Sequence, residues 1–254
     1  MKRTLAALQN LGPEETPPEI AHKVHRVVRE EVSAADPYAE AKAEGTRLAL
    51  ELYPRLKEIV AASDDPLGTS IRLSIAGNIM DLGVGEEYGD VWESVERALT
   101  QPLAIDDEPA LRDRLRRADH VLFVGDNAGE TVFDRVLVET LEVPVVYAVK
   151  EGPVLNDATM EDAVAAGLDG CATLVSIGLD APGTILPLCS EGFRRRFAEA
   201  PVIIAKGHGN YESLSEEGPS VFCLLQVKCP VIGEDIGAPA GSIVVRQGAV
   251  REAE

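Results

Sequence analysis

The sequence predicts an α/β protein: a Rossmann-like three-layer α/β/α domain with a mostly parallel sheet, preceded by an all-helical amino-terminal subdomain. Two observations carry this prediction. Through about residue 115 the apolar residues recur with helical periodicity and no convincing strand appears. From His120 onward, short aliphatic runs alternate with helical segments, the texture of parallel strands joined by crossover helices and covered by helical layers.

In the first part, helices are predicted over Pro18 to Val32, Pro37 to Ala61, Pro66 to Asp81 and Asp90 to Thr100, with polar or proline-bearing breaks between them. The boundary falls within Gln101 to Arg117, where QPLAIDDEP interrupts one helix before another begins. This divides the chain into a helical subdomain, 1–115, and a catalytic domain, 116–254. Beyond it the runs HVLFVG, VPVVYAV, ATLVSI, PVIIAK, SVFCLL and SIVVRQ read as strands. No repeat or low-complexity tract stands out. The 254 residues, 45% of them hydrophobic, suffice for a large core.

With 43 acidic against 24 basic residues the formal charge is −19, which excludes nucleic acid as a partner, because phosphate backbones are bound by clustered Lys and Arg. A small anionic substrate would therefore need a local cation to overcome the protein's own field. No apolar run approaches the ~20 residues of a membrane helix. The opening MKRTLAALQNLGPEE is too short in its apolar part and too soon acidic for a signal peptide, so a cytoplasmic location is expected. Cys171, Cys189, Cys223 and Cys229 lack CxxC spacing and read as buried thiols.

Open α/β sheets carry their sites at the carboxyl ends of the strands. Asp126, Asn127 and Glu130 follow HVLFVG, although a strand-to-helix turn needs only Gly125 and one capping side chain. Lys150, Asn156 and Asp157 follow VPVVYAV; Gly178, Asp180, Gly183 and Thr184 follow ATLVSI; GHGNYE follows PVIIAK; Gln226 and Lys228 follow SVFCLL. Asp126, Asn127 and Asp157 form an all-oxygen set suited to a hard divalent ion. The same residue types are ordinary helix caps, and Asp157 before ATMEDAVAAG is well placed to be one. Lys206 and Lys228 end runs of buried type, so each ammonium is expected to point into a polar cavity. The glycines of APGT and GHGN could offer backbone N–H groups to a phosphate. His208 reads either as a general acid or base or as a loop histidine without a chemical task. His22 and His25 read as structural. Asn78 and Asp81 of SIAGNIMDLG, three apart on one helix face, could reach a shared cavity.

Together SIAGNIMD, VGDNAGE, GPVLNDAT, GHGNYE and LLQVKCPVIG closely resemble the damage-control phosphatase family, a metal-dependent group long catalogued only as a domain of unknown function. The resemblance runs from about Pro37 to Gln247 and implies a phosphatase of the compact branch. It implies metal ligation by Asp126, Asn127 and Asp157, substrate contact by Gly207, His208, Gly209, Asn210 and Tyr211, and a role for Lys228 after the next strand. Two departures stand out. The larger branches carry an Arg-Thr-x-Lys motif where this chain has LLQVK, and MKRTLAALQ lacks the Cys-x-x-Cys pair common in compact relatives.

The expected chemistry is hydrolysis of a small phosphate ester, with a divalent ion (Mn²⁺, Ni²⁺, Co²⁺ or Mg²⁺) on a phosphoryl oxygen and with Lys228 and Lys206 neutralising the remaining charge. Glu130 is the candidate base for an attacking water, and a phosphoaspartyl intermediate at Asp126 is the alternative. VLFVGDNAGE also resembles the first motif of an adenosylmethionine-dependent methyltransferase, yet Asn127 and Ala128 stand in place of its glycines. A non-catalytic binder of a phosphorylated ligand is a third reading.

Overall fold

The computed structural model describes residues 16–31, 36–80 and 91–249. Its first part is helical: α1 (Pro17–Glu31), α2 (Ala39–Ala61), α3 (Pro66–Ala76), a 3₁₀ turn at Gly77–Met80, and α4 (Val91–Thr100). The start of α3 shows why the sequence marks these helices clearly. Asp65 accepts from Gly68 N at 3.2 Å, and Pro66 occupies the first turn, where its missing N–H costs nothing.

Among the described residues, one element departs from the all-helical expectation. Leu103–Asp106 is a strand, β1, followed by α5 (Glu108–Leu115). A four-residue strand in the six positions between Pro102 and Pro109 gives too short a pattern to register, and β1 exists because it pairs with a strand far along the chain. Its partner is β7 (Ile243–Gln247), with Leu103 opposite Ile243 and Asp106 opposite Val245.

All six aliphatic runs form strands. They are β2 (Val121–Val124), β3 (Val145–Val149), β4 (Thr173–Ser176), β5 (Ile203–Lys206), β6 (Val221–Gln226) and β7. Between them lie α6 (Thr131–Val138), α7 (Met160–Ala165), α8 (Glu191–Glu199), α9 (Gly207–Leu214) and α10 (Pro230–Ile236). The sheet order is β1-β7-β6-β5-β2-β3-β4. Strands β2 to β6 are mutually parallel, β7 is antiparallel to β6, and β1 is parallel to β7.

Both faces of the central strands are buried, which is why these strands read as unbroken apolar runs. Leu122, Val124, Ile203 and Ala205 share one core with Phe193, Phe197 and Leu214. Val121, Phe123 and Ile204 face the other side, against Ile71, Ile75, Leu111 and Leu137. A third core, containing Ala49, Leu56, Leu73, Phe133 and Val136, packs α2 onto α3 and α6. The helical part thus supplies one cover of the sheet. Among the described residues no helix is long and apolar enough to cross a membrane.

From β2 the chain adds β3 and β4 on one side, then returns to place β5 on the other side of β2. This reversal is a topological switch point, where the loops leaving two adjacent parallel strands diverge and open a crevice. Gly125 and Asp126 leave β2 there, and Gly207 leaves β5.

Candidate functional site

Backbone bonding brings the predicted ligand loops together. Asn127 and Asp157 form an isolated antiparallel bridge, Ala158 N donates to Asp126 O at 2.8 Å, and Ala128 N donates to Asn156 O at 2.9 Å. Residues 126–128 and 156–158 therefore lie side by side. Lys150, at the end of β3, is buried; its Nζ lies 3.4 Å from Asp157 Oδ2 and donates to Gly183 O at 2.5 Å. From the β5 side, Gly207 opens α9 against the same turn. Its φ is +76°, and a Cβ there would overlap the Asp126 carboxylate. Only glycine meets both conditions. The helix presents its amino-terminal end to a negative charge, a favourable arrangement.

Behind these loops lies a buried polar network. Asn127 Nδ2 donates to Asp126 Oδ2 at 3.0 Å and to Glu130 Oε2 at 3.2 Å. Asn78 Nδ2 donates to the same Glu130 oxygen at 3.2 Å, while Asn78 Oδ1 has no partner among the described residues. Lys206 Nζ donates to Glu130 Oε1 at 2.5 Å, Asp134 Oδ1 at 2.6 Å and Ser74 O at 2.9 Å. Asp134 also accepts from Ser74 Oγ at 2.7 Å and Tyr147 Oη at 2.8 Å.

Two carboxylates thus share one ammonium, all three groups being buried. Burial works to lower the Lys206 pKa, but Asp134 and Glu130 outweigh it and hold the ammonium above its ordinary value. The excess negative charge appears at Asp134, whose carboxyl is pushed up by burial and by Glu130 against the pull of Lys206. Tyr147 is raised by burial and by Asp134, so its phenol stays a donor.

The other predicted residues occupy varied settings. His208 Nε2 lies 2.9 Å from Gln226 O and accepts from Lys228 N at 3.1 Å, which ties the start of α9 to the end of β6. Lys228 itself is exposed, unlike the cavity-facing lysine that its apolar neighbours suggest, because it lies beyond β6 in the turn before α10. Asn210 is saturated: Nδ2 donates to Gly125 O and Lys206 O, and Oδ1 accepts from Thr184 at 2.7 Å. A Cβ on Gly209 would come within 2.9 Å of Gly183 N, so the two glycine loops touch. Tyr211 Oη donates to Asp235 at 2.7 Å and accepts from Arg246 at 3.1 Å, which commits it to α10 and β7. Asp81 lies outside the described residues.

Asp134, Ser74 and Tyr147 are absent from the sequence-based candidates. Asp134 leaves one trace, an acid four residues after Glu130 on the apolar face of TVFDRVLV. Ser74 and Tyr147 leave none, because a small hydroxyl in a helix and a tyrosine in a strand are ordinary core residues. Among the described residues no group of three or more His, Cys, Asp or Glu is arranged to hold a metal ion. Asp126 and Asp157 supply two carboxylates; the Asn127 side-chain amide bonds the first, and its backbone bridges to the second.

A switch-point α/β fold with a carboxylate and amide cluster in its crevice defines a Rossmann-like class of small-ligand proteins. Within that class the chain belongs to the damage-control phosphatase family, since the Damage-control phosphatase ARMT1-like domain matches residues 1–244. It is 37% identical over 214 residues to Damage-control phosphatase PH1575 of Pyrococcus horikoshii, covering 82% of this chain and 74% of that relative. It is 36% identical over 239 residues to a damage-control phosphatase of Archaeoglobus fulgidus, covering 89% and 81%. The crystal structure of the DUF89 family protein ph1575 from Pyrococcus horikoshii superposes with a TM-score of 0.84 at 32% identity, covering 96% of this chain and 87% of that one. These relationships support a phosphatase-type function.

Proposed function

We propose that the chain is a divalent-metal-dependent phosphatase acting on small phosphate monoesters: sugar phosphates, nucleotides or damaged phosphometabolites. The observation that carries this reading is the bridge between Asn127 and Asp157, which joins the Asp126 turn to the Asp157 loop at the switch point. The donor chemistry fits a hard ion. Asn127 commits its amide nitrogen to Asp126 and Glu130, and an amide held by its nitrogen keeps Oδ1 for ligation. Asp126, Asn127 and Asp157 would hold the ion, with Mn²⁺, Ni²⁺, Co²⁺ and Mg²⁺ as candidates. When bound, such an ion supplies Lewis-acid polarisation of the phosphoryl group and answers the field of a chain with net charge −19.

The chain's own residues supply the rest. Lys228, exposed and bonded through its backbone to His208, meets the remaining phosphate charge at the mouth of the crevice. Lys206 does a different task from the one its position suggests, neutralising Glu130 and Asp134 so that Glu130 can fix the Asn127 amide. Water is the nucleophile in this reading, and ¹⁸O from solvent should appear first in phosphate, not in the Asp126 carboxylate. The adenosylmethionine reading loses support here. Tyr147, Ala148 and Val149, where a ribose-binding acid belongs, are buried in β3, and Glu151 bonds Ser176.

The test is inorganic phosphate release from a panel of sugar phosphates and nucleotides with each ion in turn. Metal-dependent release is expected from the parent chain. Asp126→Ala and Asp157→Ala should each cut it beyond the roughly 10–100-fold that outer partners of a metal site cost, with the circular dichroism spectrum unchanged. Full release by either variant would reject the assignment.

A further inference from the structure

Helix α2 carries a lysine in an unexpected setting. Lys42 is 5% exposed, although all six preceding residues of its segment, 36–41, are exposed or half-exposed. Its Nζ lies 2.9 Å from Asp36 Oδ2 and 2.8 Å from Asp162 Oδ2. Asp162 belongs to the first turn of α7, where the same Oδ2 also accepts from Thr159 N at 2.9 Å and Thr159 Oγ1 at 2.7 Å. Thr159 is bridged in turn to Lys150. Residues 150–159 therefore form a loop closed at one end by β3 and at the other by a capping box that Lys42 braces from the helical part. Asp157 lies inside that loop, two residues from Thr159.

We infer that Lys42 is a positioning residue for this loop, acting through Asp162 and Thr159 to hold Asp157 against the Asp126 turn. This rests on the reading of Asp126, Asn127 and Asp157 as an ion site. The physical reason is that a capping box alone joins neighbours in sequence. It can therefore move as a unit with its helix, whereas an ion pair to α2 ties it to a separate element. A buried ammonium with two carboxylate partners is also costly to break, because removing it strands their charges. A cavity of about 530 Å³ bordered by Lys42, Asp36, Glu151, Met160 and Asp162 leaves room for a larger cation, so arginine can take over the task.

The test is Mn²⁺ titration of the full chain, read by the electron paramagnetic resonance of free Mn²⁺, alongside amide hydrogen exchange over residues 154–158. Lys42→Met should weaken Mn²⁺ about tenfold, the low end of what outer partners of metal sites cost, and speed exchange in the loop. Lys42→Arg should restore both. Asp157→Asn serves as the control. If it loses Mn²⁺ while Lys42→Met binds like the parent, the positioning inference alone is overturned. If Asp157→Asn binds like the parent, the ion-site reading falls and takes this inference with it. Should Lys42→Met fail to fold, Asp36→Asn removes one anchor of the ammonium more gently. Unchanged exchange and affinity in that variant would likewise overturn the role.

Discussion

Gly207 shows how far a single position can constrain this centre. Its φ of +76° and the Asp126 carboxylate lying where a Cβ would go are independent obstacles to any side chain. Gly207→Ala is expected to cost about 1–3 kcal/mol, the range for one residue forced into a sparsely populated backbone region. It should also lower phosphate release, since the carboxylate must yield. Chemical denaturation and steady-state assay on the same preparation would check both, and an alanine variant as stable and active as the parent would contradict the packing described. Residue by residue, the legible part of the site was its excess. Asp126, Asn127 and Glu130 crowd a turn that needs fewer polar groups, and that surplus is visible in one dimension. Asp134 and Ser74 were hidden because their partner is Lys206, 72 residues away from Asp134 in sequence. Of the four cysteines expected to be buried, Cys189 and Cys223 are, while Cys171 and Cys229 are only half-buried. Burial pushes Cys189 up to about 11 and Cys223 up to about 12, so neither is a nucleophile near neutral pH.

At the scale of elements, one carboxylate adds a polar clasp to the apolar packing between α2 and α6. Glu139, capping the end of α6, accepts from Tyr53 Oη and Lys57 Nζ at 2.6 Å each and from Arg135 Nε at 2.8 Å. Burial works to raise its pKa, but Lys57, Tyr53 and Arg135 outweigh this and hold it below the ordinary glutamate value. A carboxylate depressed on folding contributes stability above its unfolded pKa and loses it as pH falls through the folded one. Glu139→Gln is therefore expected to cost about 1–2 kcal/mol at neutral pH, the lower part of what bonds to charged groups contribute, because the cluster is partly exposed. Urea titrations in the parent and variant should converge as pH drops through that depressed value; a constant gap would disprove the charge-based account. The helices themselves were legible from their prolines and periodicity, and the six later strands from their apolar runs. β1 was not, because four residues of alternating exposure carry no pattern until a distant strand is set beside them.

The whole molecule is less divisible than its sequence texture suggests. A chain cut near residue 116 would lose β1, leaving the outer edge of β7 unpaired, and would strip Ile71 and Ile75 from the face of Phe123 and Leu137. Bare strand edges and uncovered apolar faces both invite association. The fragment 116–254 is thus expected to aggregate, or to melt without a cooperative transition, in size-exclusion chromatography and thermal scans. A monomeric fragment with a sharp transition would show that the two parts are separable. The polar network argues the same way, since Ser74 and Asn78 from the helical part complete the bonding of Asp134 and Glu130.

The pairing of β1 with β7 also has a consequence in time. Gln247 N bonds Asp107 Oδ2 at 2.7 Å across 140 positions of sequence, so the early segment must wait for nearly all of the later one to be synthesised. Closing so long a loop is slow more than it is costly, because the entropy penalty grows only logarithmically with loop length. On the ribosome, the edge of this sheet is the seam sewn last.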